Sequence, residues 1–440
     1  MISPIKLRFV FSQSALNIAL AVVYALFYHF IYENFAYYWF SYANLSLYKS
    51  TSFSWFAYVI QASLPVVFFK GFRNFSCGIS FFVYLLVYVP FINTLYIMGL
   101  PNSLQVSYGL VFFISMCAFF LSDNTVIGRN FLNRIRPFIS FRFFEFFVWL
   151  VFVLVVLMNI SSMHYVNIFS EKEAMYELRS EYHVSNAGSL VLYIVSWLGH
   201  SFIPILLVCY LQQKKYLKAS LAVISFLFLF MISMQKITIV IPFIILALFF
   251  VYKSKPSIFS KHFFAFFVLG LSVVSFVLYY FSSNPAVFSL AVLLIMRTQC
   301  IEGMELDRYL SYFELTHHPV THYSHIGFIN LFTRSYPYPE SIGRMVAGDG
   351  SNSNGTFWLM DGVAADGVIG CIIISVVFVF VKAWLNSLSS KYDNGLLLIV
   401  FLYSISAMMN TSLFTSLLTS GFIVSYLVLL LVDLSPLKKN

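Results

Sequence analysis

The chain is a succession of long apolar runs separated by short polar segments, repeated along 440 residues. An α-helix needs about 20 apolar residues to cross the hydrocarbon core of a bilayer, and these runs have that length. The pattern therefore predicts an all-α polytopic membrane protein with about twelve spans. The predicted spans lie near 10–32, 52–69, 76–98, 106–122, 143–161, 188–211, 217–234, 237–252, 262–282, 357–381, 395–411 and 415–434.

Composition excludes a water-soluble globule. The chain is 60% hydrophobic and 10% charged, whereas soluble domains carry about 25% charged residues. The five cysteines lie mostly within apolar runs and form no CxxC pair. Neither a disulfide framework nor a zinc site is therefore expected.

The basic residues predict the orientation of the helices. The chain has a net charge of +9, and most of its 26 Lys and Arg residues fall in alternate loops, on the side of the N-terminus. Because positively charged loops stay in the cytoplasm, both termini are expected there. This distribution explains the positive charge without a nucleic-acid partner.

One segment on the opposite side is far longer than the other loops. Its apolar stretch 286–296 is too short to cross a membrane, so we interpret 286–313 as a re-entrant or surface-lying helix. The chain then divides into nine spans (1–282), a large external loop (283–356) and three C-terminal spans (357–440). Long loops of this kind usually carry function.

Cationic side chains mark the predicted external face. Guanidinium is a fixed fork for phosphate or carboxylate, and a lysine at the edge of two spans is costly unless it snorkels or binds an anion. A lipid diphosphate is a ligand that such side chains suit. The alternative for Arg179 and Arg308 is pairing with neighbouring acids. The candidates are Arg179, Lys236, Arg297, Arg308, Arg334 and Arg344.

The segment RTQCIEGMELDRYLSYFE predicts a polar helix face. Arg297 and Arg308 would lie within about 20° of one another around an ideal helix, with Tyr312 one turn beyond Arg308. The two arginines would be about 16 Å apart along the axis, so they either lean together or contact two substrates. Tyr309 and Tyr312 are candidates for stacking on sugar rings, or else for anchoring at the membrane interface.

Four histidines follow in HHPVTHYSH, at positions 317, 318, 322 and 325. Pro319 disfavours a helix that would align them, so a metal site is not favoured. One of them, of which we select His325, is a candidate general base or phosphate ligand. The others are then surface histidines.

A Gly- and Asn-rich stretch, GRMVAGDGSNSNGTFWLMDGVAADGVIG, runs into the tenth predicted span. Asn352 and Asn354 can hydrogen-bond sugar hydroxyls. Carboxylates in membrane helices are usually functional. We expect Asp361, near the outer edge, to reach an external site, and Asp366, deeper in the span, to be a buried structural partner.

This layout, the Arg-and-Tyr helix and the stretch 343–370 together resemble Wzy-type O-antigen or oligosaccharide repeat-unit polymerases. The resemblance implies a GT-C-like integral membrane glycosyltransferase of the bacterial inner membrane, acting at the periplasmic face without a metal or cofactor. It would transfer a glycan from undecaprenyl diphosphate to the non-reducing end of another lipid-linked repeat. The cationic residues would bind diphosphate, and Asp361 or His325 would be the base. A chain-length regulator is an expected partner.

Two other functions are compatible with the same layout. An O-antigen ligase would use a lipid A core as acceptor, and nothing in this sequence specifies the acceptor. A flippase or transporter for lipid-linked oligosaccharides would concentrate charge at mid-membrane, whereas the charged residues here lie mostly in the loops.

Overall fold

The structure, a computed structural model, describes residues 13–37, 54–160, 163, 190–348 and 352–438. These residues form helices and loops, and no strand occurs among them beyond two isolated β-bridges. The predicted fold class, an all-α polytopic membrane protein, is confirmed. The helices in chain order are α1 (Gln13–Ala36), α2 (Trp55–Phe68), α3 (Phe75–Ile97), α4 (Asn102–Asn124), α5 (Arg129–Arg134), α6 (Phe141–Met158), α7 (Leu190–Gln212), α8 (Tyr216–Ser233), α9 (Lys236–Ser254), α10 (Pro256–Ser260), α11 (Phe263–Tyr280), α12 (Pro285–Met296), α13 (Ile301–Leu315), α14 (Gly327–Thr333), α15 (Ile342–Ala347), α16 (Leu359–Val363), α17 (Ala364–Leu385), α18 (Asn394–Val400), α19 (Leu402–Met408), α20 (Leu413–Leu418) and α21 (Phe422–Leu431).

Ten helices in the described ranges are long and apolar enough to cross a membrane, or eleven if the bent pair α12–α13 is one span. Two of the twelve predicted spans differ from this pattern. The run 52–69 forms the shorter helix α2, which ends in a 3₁₀ segment that contains Pro65. The run 395–411 is broken at Phe401 into α18 and α19. Hydropathy identified both runs, but it does not report breaks in the backbone.

The described chain forms two compact units. The first draws on Met1–Gly71, Val83–Leu121 and His262–Asp307, and the second on Phe72–Phe82, Ser122–Lys261 and Arg308–Asn440. The predicted external loop 283–356 is thus divided between them after Asp307. This division does not follow the three consecutive parts expected from the positions of the apolar runs.

Buried tyrosines join the helices of the first unit. The Tyr24 hydroxyl donates to the carbonyl oxygen of Leu85 at 3.0 Å, and the Tyr58 hydroxyl donates to that of Ala25 at 2.8 Å. A buried phenol needs a hydrogen-bond partner, and for Tyr24 and Tyr58 a backbone carbonyl of a neighbouring helix supplies it. The high Tyr content of the chain therefore has a structural use here.

A buried ion pair stabilises the second unit. The Lys382 ammonium lies 2.7 Å from the Asp123 carboxylate and 2.6 Å from the Ser80 hydroxyl, and Lys382 and Asp123 are both almost fully buried. Asn386 adds a hydrogen bond to the Asp123 carbonyl oxygen at 3.1 Å. The charges are thus compensated in a region that water does not reach.

The tenth predicted span, 357–381, is not one straight helix. Asp366 and Gly367 leave helical geometry, and the chain reverses there. As a result the Phe357 ring stacks on the Phe378 ring with centroids 4.6 Å apart, and the Trp358 indole donates to the Ser375 hydroxyl at 2.8 Å. A straight helix would hold Phe357 and Phe378 about 30 Å apart. Residues 357–365 therefore form a helical hairpin with the first half of α17.

Two properties of glycine permit this hairpin. Gly367 has φ +57 and ψ −133, a conformation that L side chains rarely adopt. A Cβ atom at Gly370 would lie 2.2 Å from the carbonyl oxygen of Gly362, so the two arms touch through their backbones. The small residues of this stretch thus allow the two arms of the hairpin to pack closely.

We predict that Gly370→Ala lowers the thermal unfolding temperature strongly, with a loss of about 2 kcal/mol or more, because the new methyl group overlaps the Gly362 backbone. The matched control is Gly270→Ala, in α11, where a Cβ would meet nothing within 4 Å. That change should be neutral or stabilise by about 0.5–1 kcal/mol. Equal unfolding temperatures for the two purified variants would contradict the hairpin.

We predict that Asp123→Leu destabilises the protein by about 3–5 kcal/mol, because it leaves the Lys382 ammonium buried without its counter-charge. The double variant Asp123→Leu/Lys382→Met should recover most of that loss, since no buried charge remains. Thermal unfolding of both in detergent measures the difference. A double variant that is no more stable than the single one would show that the pair is not buried as described.

Candidate functional site

Asp361 lies in α16, the first arm of the hairpin, and is 0% exposed. One carboxylate oxygen accepts the Ser412 hydroxyl at 2.7 Å, and the other accepts the backbone N–H of Leu413 at 2.6 Å. These two donors lie at the start of α20. A buried carboxylate is stable only when several donors compensate its charge, and here they come from a distant part of the sequence.

His325 supplies the third donor. Its Nε2 lies 3.0 Å from the Asp361 carboxylate, and its Nδ1 lies 2.8 Å from the Thr321 hydroxyl. An ionised carboxylate accepts only, so Nε2 carries a proton, and in the neutral imidazole Nδ1 accepts the Thr321 hydroxyl proton. The result is a hydrogen-bonded chain from Asp361 through His325 to Thr321. We call these three residues the relay.

The hairpin turn also holds the loop that carries His325. The backbone N–H groups of Thr321 and His322 donate to the carbonyl oxygens of Ala364 and Ala365, both at 2.8 Å. Those two carbonyls lie directly before the reversal, where α-helical partners are lost. Residues 317–326 are not helical, as Pro319 predicted. His322 and Tyr323 have φ of 44° and 63°, a strained conformation typical of functional sites.

Tyr323 lies over the relay. Its hydroxyl is 3.4 Å from the carbonyl oxygen of Gly370, to which it donates. Burial, together with the negative charge of Asp361, raises the pKa of Tyr323 to about 12. The phenol therefore stays protonated at physiological pH and acts only as a neutral donor or acceptor.

An aromatic cluster lies along α13 and the loops beside it. The Tyr312 ring stacks on the His318 ring, with centroids 3.9 Å apart and an angle of 6°, and Tyr338 contacts Tyr312 at 6.1 Å. Tyr336 packs on Tyr338 at 5.8 Å. Burial raises the pKa of Tyr336 to about 12, and it also raises the pKa of Tyr312 and Tyr338. These half-exposed, neutral rings form a platform that a sugar could contact.

Tyr309 does not belong to that platform. It is fully buried, and its hydroxyl donates to the carbonyl oxygen of Ser353 at 3.1 Å. Its ring has no free face for a ligand, so we correct its predicted sugar-binding role to a structural one. Next to it, the Arg308 guanidinium donates to the Ser353 hydroxyl at 3.1 Å. Arg308 is therefore at least partly used in holding the loop that follows α15.

That loop presents the two asparagines at the surface. Asn352 and Asn354 are exposed. They pack around Gly343, where a Cβ would lie 2.2 Å from Asn352 Oδ1 and 3.1 Å from Asn354 Oδ1. Both side chains therefore lie at a surface close to α15, and their sugar-binding role stays a prediction.

Arg334 and Arg344 are both exposed. Arg334 ends α14 with a left-handed φ of 46°. The helix before it exposes Phe328, Leu331 and Phe332, each by about 70% of its surface. The Arg334 side chain thus lies next to an exposed apolar surface on α14. This arrangement suits a lipid with an anionic head group.

The other three cationic candidates are described less completely. Lys236 is the half-buried first residue of α9. Arg179 and the side chain of Arg297 lie outside the described residues. The backbone around Arg297 has π-helical geometry over Val292–Cys300, and α12 and α13 are bent by 55°. The predicted common face of Arg297 and Arg308 assumed 3.6 residues per turn, so that phase calculation does not apply.

The two catalytic candidates, Asp361 and His325, are therefore adjacent. The expected burial of the two carboxylates was wrong: Asp366 lies at the tip of the hairpin, where it is 37% exposed and 3.6 Å from His322, whereas Asp361 is fully enclosed. The reversal of the chain places Asp366 at the turn and Asp361 between the hairpin and α20. Sequence reasoning also missed Thr321 and Ser412. The spacing of Thr321 and His325 and the N-cap residue type of Ser412 were the available signals.

The described residues contain no group of three or more His, Cys, Asp or Glu side chains placed to hold a metal ion. The relay can orient an imidazole and move a proton between His325 and a hydroxyl group. Asp361 itself has no access to a ligand, so it is a positioning residue for His325.

We predict that Asp361→Leu lowers thermal stability by about 3 kcal/mol or more, because the Leu413 N–H, the Ser412 hydroxyl and His325 all lose their acceptor. Asp366→Asn is the matched control, since that carboxylate lies at the exposed tip of the same hairpin. It should change stability by less than about 0.5 kcal/mol. Thermal unfolding in detergent measures both, and equal losses would contradict the enclosed site.

Comparison with known proteins finds no protein-family model that matches this chain. It also finds no significant match among curated proteins or solved structures.

Proposed function

We propose that the protein is a membrane-embedded glycosyltransferase that polymerises lipid-linked repeat units of a surface polysaccharide. The observation that carries this proposal is the relay, in which a buried carboxylate orients His325 toward a hydroxyl group. The exposed arginines, aromatic platform and asparagines of the following segments suit a substrate that combines diphosphate and sugars.

The proposed reaction begins with the acceptor hydroxyl replacing the Thr321 hydroxyl at His325 Nδ1. The acceptor oxygen forms a bond to the anomeric carbon of the donor glycan, and its proton passes to Nδ1. The bond between the anomeric carbon and the diphosphate oxygen breaks, and the electron pair leaves with undecaprenyl diphosphate. Asp361 stabilises the imidazolium that forms, because its carboxylate already accepts from Nε2.

The leaving group determines what the cationic residues must do. Charge develops on the diphosphate as the bond breaks, and preorganised guanidinium groups stabilise it. We assign this role to Arg344 and Arg334, both exposed in this structure, and to Arg297, Arg179 and Lys236. Arg308 contributes from its position beside Ser353. The apolar side chains of α14 contact the isoprenoid tail in this scheme.

Sugar binding is assigned to the aromatic platform and the surface loop. Tyr312, stacked on His318, offers a ring face and a neutral hydroxyl. Asn352 and Asn354 offer amide donors and acceptors to sugar hydroxyls. We propose that this surface faces the periplasm, with both termini in the cytoplasm, as the distribution of basic residues indicates. A chain-length regulator is the protein partner that this function implies.

We predict that deletion of the gene converts the glycan ladder of the host surface to core plus a single repeat. Wild type should restore the ladder. His325→Gln should not, because glutamine keeps a donor for Asp361 but cannot take the acceptor proton. The matched control is His317→Gln, since His317 is exposed and lies outside the relay. It should restore a full ladder on the same gel.

Three outcomes would contradict the proposal. An unchanged ladder after deletion would exclude polymerase activity for this glycan. Loss of every repeat from the core would indicate a ligase or a flippase. A full ladder with His325→Gln, at wild-type protein levels, would show that His325 is not the catalytic base.

A further inference from the structure

A cavity of about 300 Å³ lies in the second unit, apart from the relay, and its lining combines apolar side chains such as Leu192, Val195 and Leu229 with polar ones. It is bordered by the broken helix α7, the junction of α8 and α9, α19 and the break after α20. Its polar lining comprises Ser196, His200, Ser233, Gln235, Thr238, Tyr403 and Thr419. Its volume is at the lower end of the range for small-molecule sites, and its polar lining is unusual among apolar helices.

His200 offers a hydrogen-bond acceptor to this cavity. The residue is 93% buried, and its Nδ1 donates to the carbonyl oxygen of Ser196 at 2.8 Å. Nδ1 is therefore protonated, and the neutral ring keeps its lone pair at Nε2. That nitrogen has no hydrogen-bond partner among the residues that the structure describes. The His200 ring is fixed by stacking on Tyr403, with centroids 3.8 Å apart.

Gln235 offers donors at the opposite side of the lining. Its Oε1 accepts from the Tyr403 hydroxyl at 3.5 Å, and that hydroxyl lies 2.7 Å from the Thr238 hydroxyl. With Oε1 so engaged, the amide NH₂ of Gln235 has no partner within the described part of the chain. The cavity thus combines fixed neutral donors and acceptors with an aromatic wall.

This combination selects a class of ligand. No carboxylate, lysine or arginine is part of the lining, so an ion would lack a counter-charge. Alternating donors and acceptors match sugar hydroxyl groups, and the partly exposed Tyr193 provides an apolar ring face for the C–H groups of a pyranose. An acyl or isoprenoid chain would leave the Nε2 of His200 buried without a partner.

The cavity is connected to the relay through one short helix. Helix α20 begins at Leu413, whose N–H binds Asp361, and ends beside Thr419, which lines the cavity. The Ser196 hydroxyl donates to the Thr419 carbonyl oxygen at 2.8 Å and fixes that end. Six helical residues span about 9 Å, so cavity and relay are held at a short, fixed spacing.

We infer that this cavity binds one neutral sugar residue of the lipid-linked glycan and thereby positions the glycan relative to the relay. This inference rests on the proposed function and adds to it a glycan-specificity site formed by His200, Gln235 and Tyr403.

The test uses the full-length protein in detergent with Ser233→Cys as a reporter in the cavity. Ser233 makes only a long contact, at 3.4 Å, with the Gln235 N–H, and all five natural cysteines are buried. A small methanethiosulfonate reagent modifies the new thiol while a panel of methyl glycosides, and separately farnesyl phosphate, is titrated. Ser341→Cys, an exposed position that makes no capping bond, is the control.

We predict that at least one methyl glycoside, at about ten times its dissociation constant, slows modification of Ser233→Cys about tenfold. Modification of Ser341→Cys should stay unchanged. Adding Gln235→Ala to the reporter should raise the dissociation constant of that glycoside about tenfold, because the sugar loses a hydrogen-bond donor. Farnesyl phosphate should protect neither position.

Protection by farnesyl phosphate and by no glycoside would overturn the inference, as would the absence of protection by any glycoside. If the host ladder still depends on His325 in that case, the proposed function stands without this cavity. If a glycoside protects the reporter but deletion of the gene leaves the host ladder unchanged, the sugar site is supported and the proposed polymerase function is contradicted.

Discussion

The second unit depends on how one buried negative charge is compensated. Asp361 has no access to water, and its carboxylate is stable only because the start of α20 and the 321–325 loop supply three donors. Removing any one of these segments would leave an uncompensated charge, which costs several kcal/mol. The same contacts that stabilise the carboxylate thus fix the position of His325.

The hairpin of α16 and α17 makes this arrangement possible. The reversal at Asp366 and Gly367 exposes the carbonyl oxygens of Ala364 and Ala365, and the loop with His325 uses them as partners. Non-helical backbone at membrane depth is tolerated only where it is buried in protein or lines a cavity. The break in the helix therefore allows the loop to bind the hairpin and places His325 beside the buried Asp361 carboxylate.

Much of the fold could be predicted from the sequence, because hydropathy depends on local composition. Pro319 separately indicated that the histidine segment is not one continuous helix, and hydropathy identified the long spans. Hydropathy could not predict the hairpin, since an apolar run looks the same whether the chain continues or turns back at Gly367. For that reason the expected burial of Asp361 and Asp366 was the reverse of what the structure has. The predicted angle between Arg297 and Arg308 around the helix axis does not apply, because a π-helical stretch changes the number of residues per turn.

The sequence also named Asp361 and His325 separately, without indicating that they bind each other. Their contact, and the cavity around His200, depend on long-range packing that no local pattern encodes. A polar residue inside an apolar run was the available signal for His200, and a polar residue between two closely spaced apolar runs was the one for Gln235. Such residues are too common as packing partners for that signal to single them out.

The most direct measurement is the reaction itself, with purified full-length protein in liposomes and the host's undecaprenyl-diphosphate-linked repeat as the only substrate. The account predicts products of two and more repeats, with one undecaprenyl diphosphate released for each linkage formed, and no such products with His325→Gln. Single repeats that remain unchanged with the folded wild-type protein would contradict it.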